Sequence, residues 1–172
     1  WAGGIAISGG HNPLPWNAVI LLGEEGAFLE VSEGAEVFNI FESGNFIEKS
    51  WNSLGKRIEG KFSMSSYMDA LSGLCNREAI RSAGLKVVAD PCNGSVAPFL
   101  ESYADYWGLK LVSINDHPDK PFPHTPEPNP ENASQVEAVL EATGADLGVL
   151  FNSDGSRISC VTEKGEALSE EF

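Results

Sequence analysis

Basic residues are scarce in this 172-residue sequence: 11 Lys and Arg stand against 25 Asp and Glu, a formal charge of −14. No Lys/Arg cluster exists that could grip a phosphate backbone, which excludes nucleic acid as an expected partner. Long apolar runs are missing too. The longest, Ala18 to Leu22, is far short of the roughly 20 residues that cross a bilayer, so no membrane association is expected. Cysteine is sparse: Cys75, Cys92 and Cys160 lie far apart without a CxxC, which argues against a disulfide framework and against a zinc site. The opening "WAGGIAISGG" lacks the basic segment of a secretory signal. These absences predict a soluble, cytoplasmic protein. The first residue is Trp1, directly before an apolar strand, which leaves open whether the sequence is a piece of a longer chain.

The length suits one full domain and part of another. "GGIAIS" reads as a strand, "GGHNPLP" as a loop punctuated by Gly and Pro, and "WNAVILLG" as a second strand. Ser32 is placed to cap a helix running to about Ser43, with Gly44 as its stop. Residues 45–62 show no clean period, and the boundary is expected there, giving a first part over 1–62 and a second over 63–172. The second part opens with a helix predicted over 63–82, carrying Tyr67, Leu71, Leu74 and Ile80 and stopped by Gly84.

From there strands and helices alternate. "LKVVAD" is a strand, "PCNGS" a tight turn, and Val96, Phe99, Leu100, Tyr103 and Trp107 repeat on one helical face before Gly108. "LKLVSIN" is the next strand. The proline-rich "DHPDKPFPHTPEPNP" cannot hold regular structure and reads as a surface crossing. Asn129 and Pro130 start a further helix with Val136, Val139 and Leu140 inward. "ADLGVLFN" and "RISCVTE" close the sequence as two strands joined by "SDGS". The pattern is that of an α/β/α layer domain.

Several polar residues have plain structural readings. "SDGS" needs Asp and Gly for a hairpin turn with no metal at all. "DPCNG" could form an anion-binding nest or a simple strand-to-helix turn. His117 and His124, among prolines without carboxylate or cysteine partners at ligand spacing, are expected to be solvated. Cys92 reads as a quiet thiol that a turn could expose.

Two loops taken together resemble the α-D-phosphohexomutases, the phosphoglucomutase and phosphomannomutase family. "GGIAISGGHNPLPWNAVIL" is similar to the stretch around that family's active-site serine, usually T-A-S-H-N-P. "LKVVADPCNG" followed by "FPHTPEPNPENASQVEAVLEATGADLGVLFNSDGSR" is similar to its second domain, which ends in a D-G-D-x-D-R metal loop. The resemblance implies a three-layer α/β/α domain with a mixed four-stranded sheet in the order 2-1-3-4 and an antiparallel last strand, preceded by a partial domain of similar type. It also implies phosphoryl transfer from a phosphoserine to a hexose phosphate, with Mg²⁺ on hard carboxylate oxygens neutralising the transferring group.

The departures fall on the chemistry. Gly10 stands at the phosphoserine position, so the nucleophile is lost, while His11 and Arg157 are kept. Asn152, Asp154 and Ser156 stand at the three metal-loop positions, leaving one carboxylate of three, and Arg157 is then free to pair with Asp154. Ala18 and Ile20 replace the usual glycine and lysine after Asn17. Family Mg²⁺ binding is therefore doubtful here. The expectation is a fragment or degenerate member inactive as it stands; a non-catalytic binder of sugar phosphate or of a partner is the alternative. An active mutase, its remaining domains elsewhere and Ser8 or a local shift replacing the serine, is the competing reading. The remaining domains of a longer chain, or a homo-oligomer, are the expected partners beyond a hexose phosphate.

Overall fold

The computed structural model describes residues 2–9, 12, 15–60 and 64–169. The chain divides into two compact units, Trp1–Ser8 with Ala18–Phe62, and Gly9–Asn17 with Ser63–Phe172.

In the first unit, β1 (Gly4–Ser8) and β2 (Ala18–Leu22) pair antiparallel, with Ile5 opposite Leu21 and Ile7 opposite Val19. Helix α1 (Val31–Ser43) follows and ends at Gly44 in the left-handed region, φ 65°. Its N-cap is Glu30 and not Ser32, because the Glu33 carboxylate reaches back to accept the Glu30 N–H at 2.8 Å and so starts the helix earlier, at Val31. Among the described residues of this unit none is buried, and α1 leaves Phe38 and Phe41 in solvent. A two-stranded ribbon with an uncovered helix has little of its own to hold it.

The second unit carries the core. The expected helix over 63–82 is two helices, α2 (Ser65–Ser72) and α3 (Arg77–Ala83). Gly73 ends the first, and Asn76 starts the second by accepting the Ala79 N–H at 3.0 Å on its side chain. An Asn at that place competes for backbone hydrogen bonds and so favours a fresh cap over a continuous helix. Strands β3 (Lys86–Asp90), β4 (Lys110–Ser113), β5 (Leu147–Phe151) and β6 (Ile158–Val161) form one sheet in the order β4-β3-β5-β6. The first three are parallel and β6 is antiparallel to β5. This is the 2-1-3-4 order implied by the resemblance, with "LKVVAD" at the centre.

Helix α4 (Leu100–Trp107) and helix α5 (Ser134–Thr143) lie on opposite faces. Strand alternation explains the division. Val88, Leu150 and Val161 point to α5 and pack with Val136 and Leu140. Val87, Val149 and Phe151 point the other way and, with Leu100 and Ala104 of α4, line an apolar cavity of about 630 Å³. The α4 segment begins as a 3-10 turn over Ala97–Phe99, because Pro98 cannot donate into a regular helix. Gly148 lets α5 approach the sheet: a Cβ there would lie 2.5 Å from Val136 Cγ1 and 2.9 Å from Val161 Cβ.

Candidate active site

The β5–β6 hairpin carries Asn152, Asp154, Ser156 and Arg157. Asn152 leaves the end of β5 fully buried. Its Oδ1 accepts the Arg157 N–H at 3.0 Å, which fixes the amide so that Nδ2 faces into the loop. From there Nδ2 donates to Asp154 Oδ1 at 2.8 Å and to Ser156 Oγ at 3.0 Å. Turning the amide over would set its oxygen against the Asp154 carboxylate, so the pattern of acceptors decides the orientation. Asp154 Oδ1 accepts two further bonds, from the Ser156 hydroxyl at 2.7 Å and the Ser156 N–H at 3.0 Å. The three positions therefore do converge, on one carboxylate oxygen and one amide nitrogen.

Arg157 also reaches out of the hairpin. Its Nη1 lies 3.1 Å from Glu127 Oε1, an ion pair between the hairpin and the proline-rich crossing. Glu127 stands 30 residues from Arg157 in the sequence, so no local spacing points to this pairing. In the first loop, Gly10 and His11 lie outside the described residues. Asn12 donates to the Gly9 carbonyl from both its N–H and its side chain, each at 3.1 Å, as a turn closed by its own residues does.

The "DPCNG" segment is a turn and not an open nest. Cys92 and Asn93 both take left-handed backbone, φ 52° and 53°. Each amide that could face an anion is already used. Cys92 N–H goes to Asp90 Oδ1 at 2.8 Å, Asn93 N–H to the Asn115 carbonyl at 2.6 Å, Gly94 N–H to the Pro91 carbonyl and Ser95 N–H to the Ser153 carbonyl. A side chain at Gly94 would run into the Ser153 carbonyl, so the turn and the hairpin touch backbone to backbone.

One expectation fails beside this turn. His124 is not solvated: its side chain is 15% exposed, with Nε2 at 3.1 Å from Asp90 Oδ2 and Nδ1 at 2.8 Å from the Thr125 carbonyl. Cys92 is fully buried and has a basic neighbour, its sulfur 3.7 Å from His124 Nδ1. The partners come from 34 and 32 residues away, so no local spacing could reveal them. The Asp90 carboxylate, then the Cys92 sulfur, push the imidazole up to about 10 against the opposing effect of burial. His124 is therefore an imidazolium at neutral pH. His117 stays largely in solvent, 3.6 Å from Asp116.

Comparison with known proteins matches this architecture. The sequence profile of the phosphoglucomutase/phosphomannomutase α/β/α domain II fits residues 65–165. The chain belongs to the phosphoglucomutase/phosphomannomutase family. It is 34% identical over 167 residues to a phosphoglucomutase/phosphomannomutase of Thermococcus kodakarensis, covering 96% of this chain and 36% of that protein. A probable phosphoglucosamine mutase of Methanosarcina acetivorans is 28% identical, with 96% of this chain and 37% of that protein covered. Among solved structures, a phosphoglucomutase/phosphomannomutase family protein of Burkholderia thailandensis superimposes with TM-score 0.71 at 27% identity, over 95% of this chain and 34% of that one. The chain thus spans little more than a third of the length of the relatives it matches. Among the described residues no helix is long and apolar enough to cross a membrane, and no group of three or more His, Cys, Asp or Glu is placed to hold a metal.

Proposed function

We propose that this chain is a degenerate or partial phosphohexomutase, with residues 1–62 corresponding to the end of the family's first domain and 63–172 to its second, and that it has no mutase turnover. The observation that carries the reading is the Asn152 amide, which donates into the loop at the point where the family gathers carboxylates around Mg²⁺. A hard cation needs converging oxygens with formal charge. Here one carboxylate oxygen is spent on three hydrogen bonds, and a positively polarised N–H group points at it. The donors do not suit the family's Mg²⁺.

The nucleophile position supports the same reading, since Gly10 has no side chain to carry a phosphoryl group. Arg157, held by Glu127, remains a cation beside the loop and suits the weak sugar-phosphate or partner binding of the alternative reading. The three cysteines are free thiols, in keeping with a cytoplasmic setting. The test is a coupled assay on purified protein with glucose 1-phosphate and mannose 1-phosphate. No rate above a no-protein control is expected; a steady rate that scales with protein concentration overturns the proposal.

A further inference from the structure

Between β4 and the 3-10 turn Pro130–Asn132, residues 116–129 cross the end of the sheet with no helix or strand of their own. What holds such a segment must be side chains. At its start, Asn93 Oδ1 accepts the His117 N–H at 2.9 Å, and Asn93 Nδ2 donates to the Pro121 carbonyl at 2.7 Å. Next, the His124 ring inserts between Asp90 and Cys92. At the far end, Asn132 Nδ2 donates to the Glu127 carbonyl at 2.8 Å and Arg157 pairs with the Glu127 carboxylate. The far end is therefore pinned twice to its surroundings, and among the described residues the hydrogen bonds of the middle run to the turn after β3.

The titratable groups that face the His124 ring are Asp90, from the end of β3, and Cys92, from the turn; its own loop adds the Thr125 carbonyl. Asp90 is itself fully buried and also accepts from the Cys92 N–H and from Asn115 Nδ2, which in turn bonds Gln135 of α5. Cys92 lies beneath the ring with no exposed surface. The main apolar core of Val88, Val136, Leu150 and Val161 includes none of the strap's residues.

We propose that residues 116–126 form a strap, fastened to the end of β3 at Asn93 and at the Asp90–His124 pair and hinged at Glu127, whose local opening uncovers the Cys92 thiol while the sheet stays folded. Apart from buried Pro126 beside its hinge and half-buried Phe122, the strap is fastened by a few polar contacts and has no share in the main core, which places it at the low end of a protein's range of opening free energies. The turn that the strap grips also supports the hairpin through Ser95 and Ser153, so Cys92 reports on the seat of both.

The test is the rate at which Cys92 of the full chain reacts with a disulfide reagent such as dithionitrobenzoate, in a Cys75→Ser, Cys160→Ser background. Cys75 of the unmodified chain, which is exposed, supplies the open reference. Cys92 is expected to react about 100-fold more slowly than Cys75, at a rate nearly flat in urea below the unfolding transition, the mark of local opening. His124→Gln and Asn93→Ala are each expected to raise the rate about tenfold, the equivalent of one lost buried hydrogen bond. A rate equal to that of Cys75, one that climbs with urea as global unfolding does, or one indifferent to both substitutions overturns the strap. If a variant does not fold, the urea dependence of the parent decides alone.

Discussion

The Asp90–His124 pair makes stability fall as pH rises, and the sign can be worked out from the structure. His124 is held up to about 10 in the folded chain against an ordinary value of 6.5. Below about 6.5 both folded and unfolded chains carry the proton, and the pair contributes in full. Between there and about 10 the folded chain binds one proton more than the unfolded, so stability drops by about 1.4 kcal/mol per pH unit. That interval sets a ceiling of about 5 kcal/mol. Solvent reaches the edge of the ring, 15% of the side chain, and screening there reduces the expected contribution to about 2 kcal/mol. Other groups titrate over the same range, so the measured quantity is a difference. Urea unfolding of the parent and of His124→Gln, at pH steps from 6 to about 10, isolates the single proton. The parent is expected to be the more stable at pH 6, and the gap to shrink by about 2 kcal/mol by pH 10. A constant gap, or one that widens with pH, refutes the buried imidazolium.

Gly148→Ala forces a methyl group against Val136 and Val161 in a packed core, and is expected to cost about 1–3 kcal/mol in urea unfolding. Asn76→Ala removes the side-chain cap of α3 and is expected to cost about 1 kcal/mol in the same experiment. Arg157→Ala removes a half-exposed ion pair with Glu127 and is expected to shift stability by no more than about 1 kcal/mol, falling further in high salt.

Much of the second unit was legible because its signals are local. "LKVVAD", "LKLVSIN" and "ADLGVLFN" are short apolar runs, and each became a strand; Gly84, Gly108 and Gly144 each end a helix in the left-handed region. The failures are of two kinds. Some lie in competing local signals, as where Gly73 and Asn76 break a run whose apolar spacing alone allows one helix. Others are long-range and leave no trace in spacing: His124 among prolines looks solvated until Asp90 and Cys92 come up from the end of β3, and Glu127 looks like a turn residue until Arg157 reaches it. At the hairpin, the residue types told of the lost charge. That Asn152 would turn its N–H group inward needed the Arg157 backbone to fix it.

The proposed loss of function rests on a hairpin loop closed on its own hydrogen bonds where the family holds a cation. Its most direct test is Mn²⁺ titration, followed by calorimetry and paramagnetic broadening, on the parent chain and on a variant with Asn152→Asp and Ser156→Asp. Replacing the inward amide and the neutral hydroxyl by carboxylates restores three charged donors around one point. Millimolar or weaker binding is expected of the parent, with a dissociation constant at least about tenfold lower in the variant. Micromolar binding by the parent, with broadening centred on Asp154, would contradict it.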